Sequence, residues 1–291
     1  MGRKLRVGSR DSLLAVEQTK QIICQIQQHY PKLEIELITM KTTGDKILQK
    51  SLDKIGGKGL FVKELDDALL EDKVDITVHS LKDMPMEVNT QLPLIAYSKR
   101  GDPRDVLVLP EQSSYSLVQD RIGTSSQRRK IQLQKLYHNP QFALARGNII
   151  TRLKKLDDGE YSALILAAAG LQRTGLSHRI SRFFSTKEVI PPAGQAILAI
   201  QGRKEDDLSF LKTINNIDSQ RMAEAEREFV TVLNGGCSSP IAAYAEIAGT
   251  QLKLTGLYCD EQHYLIEEQI GSVEQARQIG EQLAHKIKQK K

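Results

Sequence analysis

From Leu5 onward, short apolar runs alternate with longer segments whose apolar residues return every three or four positions. LRVGSR reads as a strand. DSLLAVEQTKQIICQIQQHY reads as an amphipathic helix that opens on Asp and Ser and stops at Pro31. LEIELITM gives a second strand, GLFVKELDDALLEDK a second helix and VDITVHS a third strand. This β-α-β-α-β order predicts a parallel or mixed sheet with helical crossovers.

A second copy of the pattern follows GDPRD. VLVLP, RIGTSS, FALARG and SALILAAAG read as strands, separated by the helical segments SQRRKIQLQKLY and NIITRLKKLDDG. SKRGDPRD before this block and PPAGQ after it are rich in charge, Gly and Pro, so residues 102–190 read as a unit inserted between two hinges. The strand AILAIQ is expected to return to the first unit, which then comprises residues 1–98 and 193–217. From Asp218 the pattern changes to a long helix, a glycine turn, strands at QLKLTGLYC and HYLIEEQI, and a closing helix. Residues 218–291 therefore read as a small third α/β unit. Two crossings between two α/β units predict a cleft that opens and closes, with ligands at the carboxyl ends of the strands.

At 291 residues, with 40% apolar and 26% charged residues, the chain has the composition of a globular protein of two or three units. The first residues hold no apolar secretory core, and no stretch approaches the length of a spanning helix, so a cytoplasmic location away from membranes is expected. Three widely spaced cysteines, Cys24, Cys237 and Cys259, argue against disulfides and against a zinc site. The net charge of +5 raises a nucleic-acid partner. However, 5% aromatics and no Trp leave no stacking platform, and the arginines sit singly or in pairs beside Gly, Ser and Thr at strand ends. That placement suits small anions.

Several strand ends carry candidate chemistry. VHSLKDMP places His79, Ser80, Lys82 and Asp83 where a sheet faces its ligand crevice, although a lone Lys-Asp pair on such a loop is also an ordinary local ion pair. In IGTSSQRRK, backbone N–H groups and the hydroxyls of Thr124, Ser125 and Ser126 form an anion cradle. Arg128 and Arg129 occupy a first helical turn that would otherwise prefer acids, so a compensating anion is expected there. ALARGNIITRL supplies Arg146 and Arg152, GSRDS supplies Arg10 and Ser12, and AAGLQR supplies Arg173. Each alone reads as a surface cation. Together, at the same edge of two sheets, they describe a cleft for a ligand with many carboxylates. GGKGLFVKEL lacks the spacing of a phosphate-binding loop and reads as a lid. Cys24 and Cys259 lie inside a helix and a strand and read as small buried hydrophobes, whereas Cys237, in the turn NGGCSSP, is the candidate for covalent chemistry.

These segments together resemble the hydroxymethylbilane synthase (porphobilinogen deaminase) family over essentially the whole chain. GSRxSxLA, GGKGLFVKEL, VHSLKDMP, DPRD, GTSSxRR, RGNxxTRL, AAAGLxR, PPAGQ and GGCxxPI occur in the family's order. The resemblance implies two periplasmic-binding-protein-like α/β domains flanking a cleft, plus a small C-terminal α/β domain carrying the cofactor cysteine. It further implies a transferase acting on porphobilinogen as a monomer. A dipyrromethane primer would be held through a thioether to Cys237, and Asp83 would be the central catalytic acid. Ser12, Lys82, Thr124, Ser125, Ser126, Arg128, Arg129 and Arg146 would meet the cofactor. Arg10, Phe61, Ser80, Arg146, Arg152, Arg173 and Gln195 would line the substrate site. The implied cycle expels ammonia, lets the free α-carbon of the chain attack the resulting azafulvene, and finally releases a linear tetrapyrrole with water.

Four positions depart from the family pattern: Ala196 and Gln201 stand where Gly and Glu are common, Thr43 replaces a basic residue, and Ala242 replaces a Gly. The competing reading is a two-lobed binding protein for an anionic small molecule, which would call for an export signal and would have no use for Cys237.

Overall fold

The structure is a computed structural model and describes residues 4–43, 62–111, 121–235 and 240–291. Phe61, Cys237 and the glycine loop around Lys54 and Lys58 lie outside the described residues.

The first sheet contains β1 (Leu5–Arg10), β2 (Ile35–Met40), β3 (Ile76–Ser80), β4 (Leu94–Tyr97) and β10 (Leu198–Gly202) in the order β2-β1-β3-β10-β4. β1 runs parallel to β2 and β3, and β10 lies antiparallel between β3 and β4. AILAIQ thus rejoins the first sheet. The helix α1 (Leu13–His29) is started by Ser12, whose Oγ accepts from Ala15 N at 3.3 Å, and it buries Ala15, Thr19, Ile22 and Ile26 at helical spacing. Fully burying each Ile contributes about 1.5–3 kcal/mol. Cys24 sits two residues from both Ile22 and Ile26, about 200° around the helix. It therefore faces solvent, and Cys259 is half-exposed, so neither is the buried hydrophobe expected. α2 (Lys63–Leu70) packs beside β1 and β3.

The second sheet repeats the plan. β5 (Asp105–Val108), β6 (Ile122–Gly123), β7 (Phe142–Ala143), β8 (Ala163–Ala167) and β9 (Arg182–Phe183) are ordered β7-β6-β8-β5-β9. β6 is parallel to β7 and β8, while β5 is antiparallel to β8 and β9. In each sheet, the strand antiparallel to the parallel core is the one that follows a chain crossing. α3 (Gln127–Leu136) and α4 (Ile149–Asp157) start at Ser126 and Asn148, whose side chains accept from Arg129 N and Thr151 N. SALILAAAG is not one strand: β8 ends at Ala167, and the short helix α5 (Ala168–Arg173) follows, as its alanines favour. Arg173 consequently stands at a helix end rather than at a strand end.

The third unit is an antiparallel sheet of β11 (Ile241–Ala248), β12 (Gln251–Cys259) and β13 (Tyr264–Ser272), packed against α6 (Ile217–Val232) and α7 (Ala276–Lys288). β11 was not legible from its alanine-rich sequence. Its small side chains are needed because α6 lies directly on them, with Ala243, Ala245 and Phe229 fully buried. Gly280 lets the helices touch, since a Cβ there would sit 2.3 Å from Ala225 O. Arg227 on α6 donates to Pro85 O and Met86 O, fastening this helix to the loop that follows Asp83.

Candidate active site

The parallel strands β1, β2 and β3 end on one side of the first sheet, and β6, β7 and β8 end on one side of the second. Between these ends lies a cavity of about 600 Å³. Among the described residues its wall carries seven cationic side chains, Arg10, Lys41, Lys82, Arg129, Arg146, Arg152 and Arg173, against two carboxylates, Asp11 and Asp83. Ser12 and Ser80 also line it. Arg10 and Ser80 close β1 and β3, while Lys82 and Asp83 follow in a single tight turn, Leu81–Asp83. Gln18 Nε2 donates to Ser80 Oγ at 2.8 Å, fixing that hydroxyl from the buried face of α1.

So much positive charge in partial burial has visible electrostatic consequences. Burial pushes the Arg152 guanidinium down to about 10; Arg129 and Arg146 push the same way and Asp83 opposes them. Arg173 is also pushed to about 10 by burial. Burial lowers the Lys82 ammonium as well, with Asp83 opposing. Arg152 Nε donates to Gly147 O at 2.7 Å and Arg173 Nη2 to Ala196 O at 2.8 Å, so both are aimed by backbone carbonyls. Asp83 itself is exposed to this space.

Not every expected residue reaches the cavity. Arg128 and Arg129 are compensated within the protein: Asp105, fully buried, accepts from Arg128 Nη2 and Arg129 Nη2, each at 2.7 Å. The anion expected at the first turn of α3 is therefore a side chain of the same sheet. Arg129 still lines the cavity, but Arg128 turns to Ile190 O and does not. Thr124, Ser125 and Ser126 also stand outside its lining. Their groups are engaged locally: Ser125 Oγ donates to Ala145 O, Thr124 Oγ1 accepts from Ser126 N and Ser126 Oγ accepts from Arg129 N. Gln195 is buried below the cavity rather than along it.

Two family models match the chain: "Porphobilinogen deaminase, dipyromethane cofactor binding domain" over residues 5–210 and "Porphobilinogen deaminase, C-terminal domain" over residues 221–289. The chain belongs to the porphobilinogen deaminase family. Porphobilinogen deaminase of Acetivibrio thermocellus is 58% identical over 258 residues, covering 89% of this chain and 88% of that protein. Porphobilinogen deaminase of Alkaliphilus oremlandii is 53% identical over 286 residues, covering 98% and 97%. Among solved structures, the periplasmic aliphatic sulphonate binding protein SsuA from Escherichia coli superposes with a TM-score of 0.43 at 10% identity, covering 80% of this chain and 71% of that one. So low a score has no bearing on function.

The residues present fit the cofactor of a porphobilinogen deaminase. A dipyrromethane carries several carboxylates, and the cleft offers an excess of cations, three of which, Arg152, Arg173 and Lys82, are made more acidic chiefly by burial. Arg129 Nε is buried and has no hydrogen-bond partner among the described residues, a donor that a carboxylate would satisfy. Two residues of this deaminase's site were missed in the sequence, Lys41 on the cavity wall and Asp105 buried beneath it. Lys41 directly follows β2 as Asp11 follows β1, so the strand-end rule that found Arg10 also pointed to it. Asp105 carried a fainter signal: an acid at the start of an otherwise apolar strand.

Proposed function

We propose that this chain deaminates porphobilinogen and joins four of the resulting pyrroles head to tail on a dipyrromethane held through Cys237, then releases the linear tetrapyrrole by hydrolysis. The observation that carries this reading is the convergence of cations from both sheets around the exposed carboxylate of Asp83 in one cavity. A binding protein for a polyanion needs the cations alone. The acid among them is what a reaction through a cation requires.

When bound, the dipyrromethane supplies a nucleophilic pyrrole carbon and a set of carboxylates. Arg129, Lys82 and Ser12 would hold those carboxylates, with Arg128 and the Thr124–Ser126 turn supporting Arg129 from behind. Arg10, Arg146, Arg152 and Arg173 would take the acetate and propionate groups of the incoming pyrrole, with Ser80 beside them; Phe61, outside the described residues, is assigned to the substrate by the family resemblance alone. Asp83 passes a proton to the departing amine and faces the positive charge left on the substrate. Lys82, held next to it and made more acidic by burial, keeps the carboxyl oriented. Because every ring adds two carboxylates, the cleft must widen as the chain grows. The lobes formed by residues 1–98 with 193–217 and by residues 102–190 would move about the two crossings, with residues 218–291 as the unit that bears Cys237. The enzyme acts as a monomer in the cytoplasm on free porphobilinogen, without nucleic acid or membrane; no helix among the described residues is long and apolar enough to cross a membrane.

Intact mass tests the covalent attachment. The purified chain is expected to be heavier than its translated sequence by one dipyrromethane, and Cys237→Ser to abolish the increment. Full turnover of porphobilinogen by an unmodified chain would refute the attachment.

A further inference from the structure

Beneath the cleft, one carboxylate gathers side chains from both chain crossings. Asp105 opens β5 directly after the first crossing. Besides Arg128 and Arg129, it accepts from Gln195 Nε2 at 3.2 Å, and Gln195 lies on the second crossing. The far sides of these groups are anchored too. Arg128 Nη1 donates to Ile190 O at 2.7 Å, Arg129 Nη1 to Ile165 O at 2.8 Å and Gln195 Nε2 to Pro103 O at 2.6 Å. Gln195 Oε1 accepts from Lys82 Nζ at 3.4 Å. A polar chain therefore runs from Lys82, beside Asp83 on the first sheet, through Gln195 and Asp105 to Arg129, which lines the cavity from the second sheet.

Burial alone would push the Asp105 carboxyl up; the two facing guanidiniums overcome it and hold the group well below its usual range, so it stays ionised. One negative charge against two positive ones leaves the cluster cationic, and the unpartnered Arg129 Nε is its spare donor.

We propose that Asp105 is a positioning residue for the deaminase reaction: it touches no substrate, but it fixes Arg129 and, through Gln195, Lys82 in the register that receives the carboxylates of the pyrrole chain. This rests on the function proposed above. A carboxylate present only to neutralise buried arginines would need no link across the crossings. Here the Gln195 amide joins Asp105 on one sheet to Lys82 on the other. Loosening Arg129 and Lys82 frees the tethered primer in the cleft, and binding porphobilinogen must then order it; that cost is carried by the ground and transition states alike, so the loss falls on KM rather than kcat.

Asp105→Asn and Gln195→Met test this. For each, thermal melting, kcat and KM for porphobilinogen, and the rate at which apoprotein gains mass in porphobilinogen are compared with wild type. Asp105→Asn is expected to raise KM on the order of tenfold with kcat within about threefold, and to slow the mass gain similarly. Gln195→Met, which leaves the Asp105–arginine pairs intact, is expected to raise KM by about threefold with a melting temperature close to wild type. A lower melting temperature with wild-type KM in the folded Asp105→Asn enzyme overturns the inference. Should Asp105→Asn not accumulate as folded protein, Gln195→Met decides: a raised KM supports the inference and a wild-type KM overturns it. Wild-type protein that leaves porphobilinogen unconsumed defeats the proposed function and this inference together. Wild-type turnover with unchanged KM in both variants defeats the inference alone.

Discussion

Glu226, fully buried on α6, pairs with Arg100 at 2.7 Å and ties both chain crossings to the third unit through one carboxylate. Its Oε2 accepts from Arg100 on the first crossing and from Gly194 N on the second at 2.8 Å, while Oε1 accepts from Ala245 N on β11 at 2.7 Å. Arg100 also reaches Ala245 O at 3.1 Å. Removing one partner of such a buried pair strands the other, at a cost of about 3–5 kcal/mol. Arg100→Ala is expected to show that loss in urea unfolding; a loss below about 1 kcal/mol would mean the pair is solvated in solution.

Ala196 has a left-handed backbone, φ 69°, on the second crossing, where its carbonyl accepts from Arg173 Nη2 and Gly101 N. An L side chain in that region costs about 1–2 kcal/mol, and glycine returns part of the gain through its greater freedom when unfolded, about 0.5–1 kcal/mol. Ala196→Gly is therefore expected to raise the thermal midpoint by about 1–3 °C. An unchanged or lower midpoint in differential scanning calorimetry would show that the strain is relieved by other means.

Asp83 is exposed and ends a short turn, so replacing it removes no core packing. Asp83→Ala is expected to keep the wild-type circular dichroism spectrum while turnover of porphobilinogen falls by at least about a hundredfold. Near-normal turnover would take the central role away from Asp83.

Two neighbours of Gln201 shift in opposite directions. Burial pushes the Asp66 carboxyl up to about 6, against a hydrogen bond from Gln201 and with Asp67 adding to the rise. Burial pushes the His79 imidazole down to about 4, against Gln201 and with Arg10 adding to the fall. The stability from protonated Asp66 is full below the unfolded value of 3.8 and is lost as pH rises through about 6. That from neutral His79 is full above 6.5 and is lost as pH falls through about 4. Between these limits the two offset each other. Asp66→Asn is expected to stabilise the protein at pH 8 by on the order of 1 kcal/mol, discounted for partial exposure, and to expose a loss of stability toward acid that wild type masks. Urea midpoints at pH 5, 6.5 and 8 check this, and parallel profiles for the two proteins would contradict it.

Much of the site could be read in advance because it follows a local rule. Arg10, Ser80, Lys82 and Asp83 stand at or just past strands whose alternation and apolar runs are visible over a few residues, and strand ends of such sheets meet at a crevice. Lys41 obeyed the same rule and was passed over. β11 escaped because its alanines have little strand propensity, and only the pressure of α6 makes them fit.

Periodicity and motif order by themselves determined the α/β elements, the family and the supply of cations at the strand ends, since each depends on neighbours within a turn or a strand. The tertiary structure alone decided how those charges are used. Asp105 meets Arg128 across 23 residues and Gln195 across 90, so the pattern around any one of them cannot name its partner. Coulomb energy in a buried site depends on distances of a few ångströms, and only the packed crossings set those distances. Arg129 thus stays at the cavity, while Arg128 and Gln195 are drawn beneath it.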